Sequence, residues 1–198
     1  MFDLQPAKIN TAGAYVCIDG LYLFVIGNKL HNGHIPVVRI GGHREKNETG
    51  WQCAIREVFE ETNVQLKPHF QPSTYLFDWD HLETDPTSVQ WQPESHQEPA
   101  PFLVVTYHRE EQTTLSLMYF GTAEGIPVPS SEVKGLLLLS EPEIHRLCRE
   151  SMTLREYLDD GGRAILKEEF DTSRVLEPFA QLRLLSRILK SQPEQDAA

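Results

Sequence analysis

The chain changes its period at Gly41-Gly42. Ile35 to Ile40 is an apolar run of strand length, whereas Trp51, Ile55, Val58, Phe59 and Thr62 recur at intervals of three and four, the spacing of an amphipathic helix. Thr49, with Gln52 three residues on, has the form of a capping box, and Asn63, which tolerates the left-handed conformation, stands where the pattern stops. A strand, a glycine turn and a helix over about Gly50 to Thr62 are therefore predicted in succession. On that helix Glu57, Glu60 and Glu61 are spaced i, i+3 and i+4, so their carboxylates share one face, away from Ile55, Val58 and Phe59. Such a stripe of like charges is unfavourable unless something cationic sits on it. Clustered carboxylate oxygens suit Mg²⁺ or Mn²⁺, which keep several waters and accept phosphate oxygens, so the substrate suggested is a phosphate ester or anhydride. Arg56 can neutralise Glu60 at i+4, and Glu48, just ahead of the helix, can reach the same ions or meet the helix dipole. For any one of these carboxylates alone, the alternative is a solvated helix face.

As a set, Gly42, Glu48, Arg56, Glu57, Val58, Glu60, Glu61 and Val64 follow the pattern G-x5-E-x7-R-E-U-x-E-E-x-G-U, U being aliphatic, except that Asn63 replaces the second glycine. Chance agreement at these positions is on the order of 10⁻⁶ per chain. The stretch resembles the Nudix box of the Nudix hydrolase family, the MutT-like pyrophosphohydrolases. The specific match covers residues 42–64, and a looser likeness in strand order runs over about 12–140. The resemblance implies an α/β (α+β) fold, a Nudix-type α/β/α sandwich with a mixed sheet, here with a C-terminal helical extension.

The resemblance also implies roles. Glu57, Glu60 and Glu61 would bind the catalytic Mg²⁺ (or Mn²⁺), Gly41 would lend a backbone carbonyl to it, and Arg56 would orient the glutamates by ion pairing. Glu48 would support the metal site or lie near the reacting water. Asn63 puts only the loop geometry in question, because asparagine reaches the glycine conformation at modest cost. The implied activity is metal-assisted hydrolysis of a diphosphate linkage in a nucleoside diphosphate joined to another moiety. A general base is needed, and some family members take it from a loop glutamate well beyond the box. Glu132, Glu94 and Glu98 are the candidates, each with a solvated surface carboxylate as its alternative. No coenzyme A, NADH pyrophosphatase or ADP-ribose hydrolase signature narrows the substrate. A non-catalytic ligand-binding or regulatory module of the same fold is the second reading, and the intact glutamate set speaks against it.

Composition bounds the rest. In 198 residues, 18 Lys and Arg face 29 Asp and Glu, a formal charge of −11, which disfavours a nucleic-acid partner and makes a phosphorylated substrate dependent on a divalent cation or a few well-placed cations. The three cysteines, Cys17, Cys53 and Cys148, have no C-x-x-C spacing, and neither a signal peptide nor an apolar run of membrane-spanning length is present, so a cytoplasmic protein with no membrane partner is expected. Asp19-Gly20 between two apolar runs predicts a hairpin turn, and further strands are predicted at Val64–Leu66, Thr74–Trp79, Phe102–His108, Leu115–Phe120 and Val133–Leu139. Residues 80–100 are polar, proline-punctuated and aperiodic, the character of a lid; Trp79 and Trp91 in or beside it are candidates for stacking on a nucleobase, whereas Tyr75 and Tyr107 suit core packing. His31 and His34 have a spacing open to metal, but without partner ligands they read as surface residues. Cys53 reads as buried and inert.

The domain reading is a Nudix domain over residues 1–140 and a helical extension over 141–198. In that extension Val175, Phe179, Leu182, Leu185, Ile188 and Leu189 repeat at three and four. It either covers the same domain or forms a homodimer interface.

Overall fold

The computed structural model describes residues 7–109, 112–130, 133–167 and 169–191. In chain order the elements are strands β1 (Lys8–Ile18), β2 (Leu21–Ile26), β3 (Ile35–Val38) and β4 (Ile40–His43), helix α1 (Gly50–Thr62), and strands β5 (Lys67–Pro68), β6 (Thr74–Asp78), β7 (Thr87–Val89), β8 (Leu103–Arg109), β9 (Gln112–Thr122) and β10 (Gly135–Leu139). Helices α2 (Glu141–Arg149) and α3 (Leu154–Asp159), strands β11 (Arg163–Leu166) and β12 (Leu176–Pro178) and helix α4 (Ala180–Ser191) complete a mixed α+β chain. It divides into two compact units. One comprises the chain through Cys17 with Ile40–Pro127, the other Ile18–Arg39 with the chain from Val128 onward.

The first unit is built on the parallel pair β1 and β9. β4 lies antiparallel along β1, β8 antiparallel along β9, β6 parallel to β8, and β7 antiparallel on β6. Val16, Leu103, Val104, Val105, Leu117 and Met118 are buried here, and Phe102 meets Tyr15 and Tyr75 edge-on at 5.8 and 5.4 Å. α1 packs on β4 and β9. Its limits are those predicted: the Thr49 side chain accepts from the Gln52 amide, the Gln52 side chain answers on the Thr49 amide, and Asn63 closes the helix at φ 58°.

The face α1 buries differs from the sequence reading. Trp51, Cys53, Ala54, Val58 and Thr62 are inside, while Ile55 and Phe59 are 38% and 51% exposed. The helix is rotated so that Glu57 and Glu61, beside Val58, are half-buried rather than set opposite the apolar stripe. Val64 to Leu66 lies in no strand, and the pairing falls at Lys67–Pro68 on β9. Residues 80–100 are not wholly irregular, since β7 lies among them.

In the second unit β10 pairs antiparallel with β2 and β11, β2 with β3, and β12 runs parallel to β3. α2 packs on α4, β10 and β12, and α4 on β3. Asp19 and Gly20 carry φ of 49° and 77°, the pair of left-handed residues a type I′ turn needs. The stretch after Glu141, helical by its spacing, holds the short strands β11 and β12 between helices. Leu182, Leu185 and Ile188 of its apolar repeat are buried, joined by Leu184, whereas Val175, Phe179 and Leu189 are half-buried.

Candidate functional site

Three of the predicted site residues, Glu48, Glu57 and Glu60, meet at the guanidinium of a fourth, Arg56. Arg56 Nε donates to Glu48 Oε1 at 2.7 Å and Nη2 to Glu48 Oε2 at 3.1 Å, a two-pronged pair. Nη1 donates to Glu57 Oε1 at 2.8 Å and to Glu60 Oε2 at 2.9 Å, and Nη2 also to the His43 carbonyl at 3.0 Å. The Arg56, Glu48 and Glu57 side chains are 22%, 17% and 14% exposed, and Glu60 reaches into solvent at 55%. The Arg56 fork and the Glu45 amide outweigh burial and hold the Glu48 carboxyl below the ordinary carboxylate range. Glu48 in turn raises the Arg56 guanidinium above its already high value.

The two glycines ahead of the helix have separate functions. Gly41, at φ 140°, pairs with Gly13 on β1 and turns its amide onto Glu61 Oε2 at 3.1 Å. Gly42 makes room: a Cβ on it would stand 2.6 Å from Cδ and Oε2 of Glu57 and closer still to Oε1. The carboxylate occupies the space a side chain would fill.

Around the helix start, the long loop closes in. The Gly50 amide donates to Glu94 Oε2 at 2.5 Å, Arg44 Nη1 to Glu94 Oε1 at 3.2 Å, and Thr49 Oγ1 to Glu98 Oε1 at 2.8 Å. Burial, then the carboxylates of Glu94 and Glu98, raise the Tyr119 hydroxyl well above its usual value. Cys53 is buried and its thiol pushed up to about 11 by that burial, which fits the inert role expected of it.

Glu57, Glu60 and Glu61 do not converge on a single point. Among the described residues, the one group of three or more such side chains with ligand atoms all within 4.8 Å of one another is Asp78, Asp80 and His108. Asp78 Oδ2 also lies 2.9 Å from His81 Nδ1. Burial works against ionising Asp78, but the Asp80 amide and His81 hold its carboxyl below the ordinary range, and the Asp78 carboxylate raises His81. Trp79, half-buried, lies against Tyr107 of β8 with centroids 5.5 Å apart, and Trp91 is half-buried in the loop. His31 and His34 flank a tight turn through Asn32 and Gly33, and His31 Nδ1 lies 2.7 Å from Glu177 Oε2. Glu132 lies outside the described residues.

Sequence reasoning missed Arg44, and with it the helix-start bonds of Glu94 and Glu98. Nothing local marks them, since they lie in a stretch without period. It also missed the Asn32-Gly33 turn, which the Asn-Gly dipeptide does signal. The Asp78–His108 approach follows from parallel register, Asp78 opposite Thr106, which only the fold reveals.

The donor set of the box suits a hard divalent cation. One guanidinium faces Glu48, Glu57 and Glu60, with Glu61 beside them on a backbone amide, so negative charge is left in excess on oxygens alone.

A model of the NUDIX domain matches residues 13–171. No curated protein matches. Among solved structures, the solution structure of the E. coli ORF135 protein is 14% identical over 100% of both chains with a TM-score of 0.53, a likeness of fold. A NUDIX-family hydrolase from Clostridium perfringens is 17% identical, covering 69% of this chain and 83% of its own, at a TM-score of 0.46. The MutT protein from Methanosarcina mazei Go1 is 17% identical over 72% and 83%, at 0.44. With box, fold and a domain match over most of the chain in agreement, the protein belongs to the NUDIX domain family.

Proposed function

We propose that the protein is a divalent-metal-dependent hydrolase that cleaves a diphosphate linkage in a nucleoside diphosphate joined to another moiety. The observation that carries this reading is the Arg56 fork, which gathers Glu48, Glu57 and Glu60 beside the amide-held Glu61. Glu57, Glu60 and Glu61 would hold Mg²⁺ or Mn²⁺, with the Gly41 carbonyl as a further ligand. Bound there, the ion would neutralise phosphate oxygens and lower the pKa of a water. Arg56 aims the carboxylates. Glu48 fixes Arg56 from the opposite side, so the fork cannot swing toward substrate. Trp79 and Trp91 are proposed to meet the nucleobase, and Glu132 to act as the base. The protein is further proposed to be cytoplasmic, with the C-terminal helices available to a homodimer interface. No helix among the described residues is long and apolar enough to cross a membrane.

The test is product release from nucleoside diphosphate sugars, dinucleoside polyphosphates, ADP-ribose, NADH and nucleoside triphosphates, with and without Mg²⁺, in wild type and Glu60→Gln. Metal-dependent turnover of one class, reduced by orders of magnitude in the variant, is expected. Turnover that ignores metal, or a Glu60→Gln protein as fast as wild type, would remove the assignment, and ligand binding without any turnover would favour a regulatory module.

A further inference from the structure

The segment from Asp80 to Glu98 is fastened at both ends. At its start Asp78, the last residue of β6, accepts from the Asp80 amide at 3.0 Å and meets His81 at 2.9 Å, and the His81 amide donates to the Asp78 carbonyl at 3.1 Å. Midway, β7 lies antiparallel on β6. At its end, Glu94 and Glu98 are bound by Gly50, Arg44 and Thr49. Asp78 is in register with Thr106, and Thr106 with Leu115. Leu117, two residues on and so on the same face as Leu115, is the side chain a Cβ at Gly50 would strike at 2.7 Å. The strap therefore leaves the sheet on the face that carries α1 and returns to the start of that helix.

What it grips matters more than that it is gripped. Arg44 and Gly50 bracket the connection between β4 and α1, and Glu48 lies within that connection. The Arg44 amide is tied to the Asn10 carbonyl at 3.0 Å, and the Glu45 amide to Glu48 Oε2 at 3.0 Å. One carboxylate, Glu94, thus spans the bracket from Arg44 to the helix terminus, where the dipole favours an anion. Gly50 is buried, with Leu117 Cδ1 and Tyr119 Oη both 2.7 Å from where its Cβ would lie, so the helix start is closely packed where Glu94 binds it.

We propose that Glu94 and Glu98 are positioning residues: they join the strap to the Glu48-bearing connection, so that a substrate displacing the strap is felt at the Arg56 carboxylate cluster. The catalytic part of this inference rests on the hydrolase reading; the fastening does not. Amide hydrogen exchange and Mn²⁺ binding, followed by the paramagnetic signal of free Mn²⁺, test the two parts on wild type, Glu94→Ala, Glu94→Gln and Glu98→Ala. Losing a charge-assisted bond to the Gly50 amide should speed exchange at Gly50–Cys53 and across the strap by about tenfold in Glu94→Ala. Mn²⁺ affinity should fall severalfold. Glu94→Gln keeps an oxygen for the Gly50 amide and should recover most of both, and Glu98→Ala should loosen the strap more than the helix start. Wherever hydrolysis is detected, Glu94→Ala should lower kcat more than it raises KM. Faster exchange in the strap alone, with the helix start still protected and Mn²⁺ affinity unchanged, would overturn the proposal, as would failure of Glu94→Gln to recover either. If wild type hydrolyses nothing, the hydrolase reading fails, and exchange still decides the fastening.

Discussion

Gly42→Ala isolates the site from the fold. Gly42 is not among the residues at positive φ, so alanine brings no backbone strain, and the three atoms nearest the added methyl all belong to the Glu57 carboxylate. That carboxylate is the far end of a flexible side chain, so the helix need not move. Glu57 swings away and loses its 2.8 Å bond to Arg56 Nη1, while Arg56 keeps Glu48 and Glu60. A charge-assisted bond at a half-buried site is worth roughly 1.5–3 kcal/mol. The displaced carboxylate regains water, so the net loss should be about 1 kcal/mol, a Tm drop of about 2–4 °C in a chain of this size. The proposed site should suffer far more: displacing a carboxylate proposed to hold the metal should weaken Mn²⁺ binding and lower turnover by about hundredfold. Scanning fluorimetry and Mn²⁺ titration of Gly42→Ala, and of Gly42→Ala with Glu57→Asp, provide the check. The shorter carboxylate clears the methyl and should recover part of the affinity. Full Mn²⁺ affinity in Gly42→Ala, or a collapse of Tm that Glu57→Asp does not relieve, would refute the reasoning.

Arg56→Lys replaces a five-donor fork by a point charge that cannot hold Glu48 in two prongs while also reaching Glu57, Glu60 and the His43 carbonyl; it should cost about 2–4 kcal/mol in urea unfolding. Acidification tests the same contact. Because the folded Glu48 carboxyl is held below its ordinary 4.5, its contribution is complete above pH 4.5 and is lost as pH falls through the lowered value. Arg56→Lys should therefore flatten the stability profile below pH 4.5, and an unchanged acid limb would count against the Glu48 pairing. Asn63 at φ 58° should tolerate glycine with equal or slightly higher Tm, whereas alanine should lose about 1 kcal/mol. Equal Tm for Asn63→Ala and Asn63→Gly would contradict the left-handed cap.

The limits of α1 were legible because caps are local: Thr49, Gln52 and Asn63 act within one turn of themselves. The buried face was not. Periodicity ranks Ile55 and Phe59 above Ala54 and Cys53 by size, but the sheet takes in Ala54 and Cys53 together with Trp51 and Val58, and Ile55 and Phe59 turn outward. The glutamates depend on that rotation, since it sinks Glu57 and Arg56 to the edge of the packed face, where a backbone carbonyl and a side-chain-free glycine can meet them. β11 and β12, of four and three residues, are too short to show a period of two, unlike the apolar run of β10. The Arg44–Glu94 and Asp78–His108 approaches are set by pairing and loop closure, for which a single sequence has no local mark.

The hydrogen-bond inventory of Arg56 has a consequence for how an anionic substrate is met. A guanidinium has five N–H groups. Nε–H goes to Glu48, the two on Nη1 to Glu57 and Glu60, and the two on Nη2 to Glu48 and the His43 carbonyl, so none is left for phosphate. The neighbouring cation Arg44 already holds Glu94. On a chain carrying a formal charge of −11, a diphosphate approaching four clustered carboxylates would be repelled by the residues proposed to process it. The proposed activity thus requires a divalent cation at this place for charge balance before any question of chemistry. Millimolar Mg²⁺ should accordingly tighten the binding of a non-hydrolysable nucleoside diphosphate analogue in wild type, and calorimetry showing equal affinity with and without metal would break this argument at its first step.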